Sequence, residues 1–479
     1  MARISEHFRL HRDQPSLDFV DVDIAKDLRV FVDPRALRLL PTDWGHECVA
    51  LIQDFFSTVM TAIREGNDSF AKRLLQNLRE PNETHLGLSI AESRGRALGH
   101  ESAGDVWEAL SQSEAARSGL LEDLEDTVLL VDGISTDIIS DITTNIIRQP
   151  LIHYTQAACA WYGIPLTQDI DSGPMWDPGN QNWFSEYVDL PIVPSGKLLL
   201  VPKVIVRRRL EYDADEYYRH YILEHLRSVE LAANSELVQT LRRGRKRVTK
   251  KSLTEKYGRG KEVNLRETRK EPSLLTRYRD AKKSMIRPPL DHETFAAEEN
   301  TPEPDWDSLL SDVVSLPTGQ ANANHYERAI ESLLSALFYP SLSNPQPQRQ
   351  IHQGRKRIDI TYTNVATRGF FQWLGQHFAA PHVFVECKNY TDDPANPELD
   401  QLSGRFSSMR GKFGLLVCRT IANKELFAAR CRDTAQDDRG CIVFLDDADL
   451  GDLVGLRKNG ASIQEQYELL KSRMDSLMM

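Results

Sequence analysis

Two periods run through the chain. Residues 46–79, 104–125 and 324–338 repeat apolar side chains every three or four positions, which predicts amphipathic helices. Residues 17–34 instead alternate apolar and polar positions around a turn, which predicts a hairpin. Asp21, Asp23 and Asp33 then read as the solvent face of half-buried strands rather than as a metal site. Predominantly apolar stretches at 128–131, 197–206, 383–387 and 412–418 predict buried strands. A helix capped by Ser135 or Asp137 follows the first of them. Along it Asp137, Asp141 and Asn145 form a polar stripe, which suits either a seam packed on another domain or a ligand, a cation or a partner's basic groups. Trp176 and Trp183 sit in a Gly/Asn-rich loop and either plug a domain interface or stack on bases.

The pattern breaks where the charge changes. Residues 241–287 carry 18 Lys and Arg against 5 Asp and Glu, although the 479-residue chain has a net charge of −11. Arg242, Arg243, Arg245, Lys246, Arg247, Lys250 and Lys251 open this stretch. Clustered cations bind phosphate without reading sequence, and the other reading is a solvated linker. Residues 288–308 are acidic and proline-rich, a boundary composition. The division expected is a module at 1–236, for sensing or binding a partner, a basic connecting segment at 237–287, an acidic linker at 288–320 and a terminal domain at 321–479. No apolar run is long enough to cross a membrane, no secretory leader is visible at the N-terminus, and six scattered cysteines form no CxxC pair. A cytoplasmic chain with reduced thiols is expected. No P-loop, GxGxxG, internal repeat or Ser-His-Asp signature stands out.

The chemistry concentrates in residues 383–390, an apolar strand that ends in Glu386 and Lys388. Two positions apart on a strand, they project to one side. Upstream, Asp359 lies between Ile358 and Ile360, a costly place for a carboxylate unless something cationic meets it. Two carboxylates suit a hard, oxygen-seeking cation such as Mg²⁺, with Mn²⁺ able to substitute. Such a cation lowers the pKa of an attacking water, and Lys388 orients or activates that water. The constellation points to phosphodiester hydrolysis. Before it, residues 324–338 carry Glu327 and Glu331 one helical turn apart; after it, a short helix carries Gln401 and Arg405, and 412–418 forms another strand.

Helix with Glu, strand with Asp, strand with Glu-x-Lys, helix with Gln, then strand: over residues 322–450 this order resembles the PD-(D/E)XK nuclease superfamily, in particular its Mrr-like and resolvase-like restriction endonuclease members. The resemblance implies an α/β fold with an αβββαβ core and a mixed central sheet, beside a larger N-terminal α/β or α+β domain. It implies Asp359, Glu386 and Lys388 as the catalytic set, with Gln401 matching the Gln after the active-site strand. Tyr326-Glu327 matches the aromatic-Glu pair of the first helix, so Glu327 joins Asp359 and Glu386 on the metal side, with Glu331 as the fallback. The pattern departs from the family at Ile358-Asp359, where Pro-Asp is usual, and by an apparent inserted helix at 367–378. A DNA endonuclease with Mg²⁺ is expected, in defence against foreign DNA, with Arg405 joining the basic segment on the nucleic acid. Cutting both strands implies a homodimer or higher oligomer. The alternative is a catalytically silent or partner-gated nucleic-acid-binding effector or scaffold, with a regulatory protein engaging residues 1–236.

Overall fold

The computed structural model describes residues 2–87, 101–241, 245–284, 288–351 and 356–478. The chain is mixed α/β, built around two large hydrophobic cores: one gathers side chains from Ile4 to Phe295 together with Tyr339 and Val365, the other from Leu309 to Leu477; Ile152, Met175, Leu190 and Leu199 form a small third cluster.

Helices dominate the first core. The apolar periodicity at 46–79 resolves into Asp43–Arg64 and Asp68–Leu75, each opened by a side-chain cap from Thr42 or Asn67. The stretch at 104–125 contains Glu101–Gln112 and Glu114–Ser118. Four expectations fail here. The hairpin at 17–34 is absent: Phe31–Val32 pairs antiparallel to Val206–Arg207, and Phe19, Asp23 and Leu28 make isolated bridges to Pro202, Arg3 and Leu86, none of them within the stretch. Asp21 and Asp33 are buried, not solvent-facing. Asp21 takes hydrogen bonds from the Ser5 amide (2.8 Å) and hydroxyl (2.6 Å), and Asp33 caps the helix Pro34–Arg38 through the Arg35 amide (2.9 Å). A carboxylate that collects donors can be buried. The run 128–131 lies in a buried helix, Asp126–Leu130, because period cannot tell a short buried helix from a strand. In 197–206, Leu198 to Val201 are buried without joining a named strand, before a 3-10 turn at Lys203–Ile205.

Two other features follow the pattern. Ser135 caps Thr136–Ile146, and Asn145 of its polar stripe is buried, donating to the Asp141 carbonyl (2.8 Å). Trp176 is also buried, edge-on to Phe55 and Trp183, with its ring N–H on Asp54 at 2.8 Å. The tryptophans therefore plug a core rather than offer stacking faces.

The basic segment is no loose tether. It folds into Lys250–Tyr257, Lys261–Lys270 and Ser273–Ser284, and Leu253, Val263, Leu274, Leu275 and Tyr278 sink into the first core. The acidic linker carries His292–Glu299 and Trp306–Val314, whose Phe295 and Val313 enter the first and second cores respectively.

The second core surrounds a five-stranded mixed sheet. Numbered within this unit, its elements are α1 (Ala323–Phe338), β1 (Leu342–Ile351), β2 (Lys356–Asn364), α2 (Gly369–His377), β3 (His382–Lys388), α3 (Asn396–Ser403), β4 (Phe413–Cys418), α4 (Lys424–Gln436) and β5 (Cys441–Leu445). The order is β1-β2-β3-β4-β5, antiparallel across the first two joins and parallel across the last two. The expected inserted helix is α2. Residues 383–385 and 415–417 are fully buried, as parallel strands covered on both faces must be.

The two cores meet through buried polar contacts. Arg12 forms an ion pair with Glu331 of α1, the Asn344 amide donates to Asp18 (2.7 Å), and the Lys203 ammonium lies 4.3 Å from the Tyr339 ring centroid. Among the described residues, no helix is long and apolar enough to cross a membrane. The six cysteines are free thiols.

Candidate active site on the C-terminal sheet

β2 and β3 pair with Ile360 opposite Val385. One step further along this antiparallel register Asp359 faces Glu386, and directly opposed residues share a face. The strands are drawn together there: the Cys387 amide donates to Asp359 Oδ2 at 2.8 Å. Lys388, two residues beyond Glu386, lies on the same face, and its Nζ donates to Glu386 Oε1 at 2.9 Å. Cys387 projects oppositely and packs half-buried against the core.

The fourth group comes from α3. This helix starts with Pro397 in its first turn, and Gly404 follows it. It can approach the sheet closely because β4 carries Gly414 beneath it. A Cβ there would meet Leu402 at 3.0 Å and Phe406 at 3.1 Å. Phe406 also lies over Gly440, where a Cβ would collide with its ring, and it stacks on Phe384. With the helix so anchored, Gln401 bridges the acid and the base. Its Nε2 donates to Glu386 Oε1 (2.6 Å) and its Oε1 accepts from Lys388 Nζ (3.0 Å). The Lys388 ammonium also sits 5.8 Å from the Tyr390 ring centroid.

Arg405 completes the cluster. Grouped from the sequence with cations on the nucleic acid, it is only 6 % exposed and donates to Glu386 Oε2. Its spacing of four from Gln401 is the signal in the sequence: residues at i and i+4 share a helix face. Both oxygens of Glu386, itself 1 % exposed, are thus engaged by donors. Burial, then the neighbouring Asp359 charge, pushes the Glu386 carboxyl above the usual range, while Lys388 and Arg405 pull the other way. Burial works against the Lys388 ammonium, but the Glu386 carboxylate more than offsets it and holds the proton more tightly than usual.

The remaining expected residues divide. Glu327 is buried on α1 close enough for its charge to act on Cys387. Glu331, the fallback, points elsewhere: fully buried, it takes the Ser335 hydroxyl at 2.9 Å and pairs with Arg12. Arg245, Lys246, Arg247, Lys250 and Lys251 are exposed on Lys246–Arg247 and the helix that follows, with partial pairing of Lys250 to Glu224 (3.3 Å). Arg242 and Arg243 lie outside the described residues.

Among the described residues no group of three His, Cys, Asp or Glu side chains is gathered as a metal cage. The donor set nevertheless fits a hard divalent cation held through few protein oxygens and several waters. Asp359 and Glu386 are two carboxylates near enough for the charge of one to raise the pKa of the other. Glu386 could join only by sharing or releasing an oxygen now held by Arg405 or Lys388.

A protein family described as "Domain of unknown function (DUF8370)" matches residues 9–213, within the first core and apart from this site. No curated protein and no solved structure matches the chain.

Proposed function

We propose that the C-terminal unit is a restriction-endonuclease-like, metal-dependent nuclease that hydrolyses phosphodiester bonds of DNA. The observation that carries the reading is the hydrogen-bonded triangle of Glu386, Lys388 and Gln401, with Asp359 across the strand pair. Its support is the combination: two carboxylates, a lysine held protonated and a glutamine, presented by adjacent strands of a mixed sheet and the next helix.

Asp359 and Glu386 would hold Mg²⁺, which lowers the pKa of a bound water and takes up charge on the phosphodiester. Lys388 keeps a positive charge at the rim of the carboxylate pair, where it orients the attacking water and meets negative charge that develops on phosphorus oxygens. Gln401 fixes the lysine against the acid, so the ammonium does not need to find its position during reaction. The exposed cations around Arg245 to Lys251 would grip the backbone without reading bases. Two chains would supply the two sites that cutting both strands requires. Defence against foreign DNA is the role such a stand-alone nuclease fits.

A second reading is favoured by Arg405. With its guanidinium on Glu386, the carboxylate is neutralised from within, as suits an effector held silent until a partner or ligand acts on the N-terminal module. Incubating supercoiled plasmid with the full chain and Mg²⁺ or Mn²⁺ distinguishes the two. Cleavage abolished by EDTA and by Lys388→Ala supports the nuclease. DNA binding with no cleavage supports the gated effector, and neither binding nor cleavage sinks both.

A further inference from the structure

Three segments distant in sequence converge on one face of the first core. Backbone hydrogen bonds stitch them together: the Leu28 amide to the His85 carbonyl (2.9 Å), the Gly87 amide to the Leu28 carbonyl (2.9 Å) and the Leu199 amide to the Glu83 carbonyl (2.8 Å). The result sets Asp27, His85 and Ser195 in line. Ser195 Oγ lies 3.1 Å from His85 Nε2, and the opposite ring nitrogen, Nδ1, lies 3.8 Å from Asp27 Oδ1.

We infer that Asp27, His85 and Ser195 form a second, separate catalytic site, a serine hydrolase centre for small carboxylic esters. Geometry and roles identify such a triad, whatever the order or spacing in the sequence. Hydroxyl to imidazole is within hydrogen-bond reach, while Asp27 lies beyond it at ion-pair distance, where its charge acts on the ring.

Several further observations agree. Ser195 sits at the exposed turn between Ile192–Val193 and Gly196–Lys197, where its oxygen can be reached. The triad lines a cleft of about 530 Å³ together with Lys26 and Lys197, a volume that suits a small ligand. His85 is buried and held in the left-handed region (φ 52°, ψ 35°), a conformation that non-glycine residues keep mainly where the surroundings impose it. Burial also lowers its pKa against the pull of Asp27, Asp23 and Glu83, which favours the neutral imidazole a general base needs. All three residues lie inside the span matched by the family of unknown function.

The chemistry balances within the site. Ser195 Oγ bonds to the ester carbonyl carbon while its proton passes to His85 Nε2. The carbon–oxygen bond to the alcohol then breaks, and the alcohol leaves with that proton. Water, deprotonated by His85, attacks the acyl-serine; the acid departs and the serine hydroxyl is restored. Asp27 is a positioning residue whose negative charge faces Nδ1 and favours the imidazolium that forms when His85 takes the proton. Lys197 also lines the cleft, with its ammonium hydrogen-bonded to the Asp171 carbonyl at 2.8 Å.

The test uses the full chain with a fluorophosphonate probe, read by peptide mass spectrometry, and with p-nitrophenyl acetate as substrate. The probe should mark Ser195, with loss of fluoride, and Ser195→Ala should abolish both labelling and turnover. Because this residue is exposed, an unchanged circular dichroism spectrum is expected of the variant. His85→Ala should slow labelling by about 100-fold or more, with imidazole in solution restoring part of it. Asp27→Asn should lower kcat with KM unchanged. No adduct on Ser195, or turnover that persists in Ser195→Ala, overturns the assignment even if His85→Ala does not fold.

Discussion

Arg405 engages one carboxylate oxygen of Glu386, while Lys388 and Gln401 share the other. The carboxylate that would bind a divalent cation is thus already neutralised from both sides. Arg405→Ala is expected to lower the Mg²⁺ concentration needed for half-maximal plasmid cleavage, since one oxygen no longer has to be taken from a cation. It should also cost on the order of 2 kcal/mol in stability, because a buried carboxylate loses a partner but keeps Lys388. Metal titration of cleavage and urea unfolding check the two parts, and a higher Mg²⁺ requirement in the variant would rule out Arg405 as the occupant that the metal displaces.

Lys388 and Gln401 should differ in what their loss removes. On the proposed nuclease reading, Lys388→Ala removes the positive charge that would face the phosphate and is expected to slow cleavage by about 10²- to 10⁴-fold. Gln401→Ala leaves that charge in place but lets it wander, so the loss should be nearer about 10- to 100-fold, as for groups that orient a site from behind. Single-turnover cleavage rates at saturating Mg²⁺ separate the two, and equal losses would mean that Gln401 does more than hold Lys388.

The exposed cations of the basic stretch make a further prediction about binding rather than cutting. Replacing Arg245, Lys246 and Arg247 together by Ala should weaken DNA binding uniformly across sequences. The slope of log K against log salt should become shallower by roughly 0.9 for each phosphate no longer neutralised. Fluorescence anisotropy at several salt concentrations measures this; an unchanged slope would return these cations to the role of a solvated face.

How much of this is legible in the sequence depends on range. Asp359, Glu386 and Lys388 can be grouped because strand alternation fixes their faces, and Gln401 follows from the resemblance. β1 is hidden, since Pro345 and Pro347 suggest a loop; an edge strand, where a missing amide matters less, accommodates them. Glu331 and Glu327 are indistinguishable by spacing, because the choice depends on Arg12, more than 300 residues away. Asp21 and Asp33 mislead because alternation reports exposure only where no donor offsets burial, and Ser5 supplies donors to Asp21 while the helix that starts at Pro34 supplies one to Asp33. The line of Asp27, His85 and Ser195 leaves no local signature at all.

Arg12 and Glu331 join the two cores, and their loss should be felt as stability rather than chemistry. Glu331→Gln strands a buried guanidinium and should cost about 3 kcal/mol, whereas Arg12→Met combined with Glu331→Leu should recover much of it. Neither change should alter the metal dependence of any cleavage. Urea unfolding of Arg12→Met, Glu331→Leu and the double variant gives the coupling, and a shifted Mg²⁺ requirement in Glu331→Gln would restore Glu331 to the metal side.

His292 gives the junction a pH dependence of definite sign. Its ring Nε2 bonds the Ala336 carbonyl at 2.9 Å, and burial, assisted by the Lys203 charge, holds its pKa down to about 3. Below the ordinary value near 6.5 the unfolded chain takes up a proton that the folded chain refuses. The stability this residue permits is therefore complete above about pH 6.5 and is lost progressively as the pH falls toward 3. One proton over the 1.5 units from pH 6.5 to 5 corresponds to about 2 kcal/mol. Glu125 and Glu299, with carboxyls lifted by burial to about 7 and about 8, act in the opposite sense, since their penalty grows as the pH rises. The whole-protein curve mixes these with other buried groups, such as Asp141, lifted to about 8, and Lys203, lowered to about 8. The difference between the native chain and His292→Gln, which keeps a donor for Ala336 but cannot titrate, isolates one of them. Urea unfolding at pH 7.5 and pH 5 should show the native chain losing about 2 kcal/mol relative to the variant. A constant difference would mean that His292 is protonated in the folded state and that the junction opens to water.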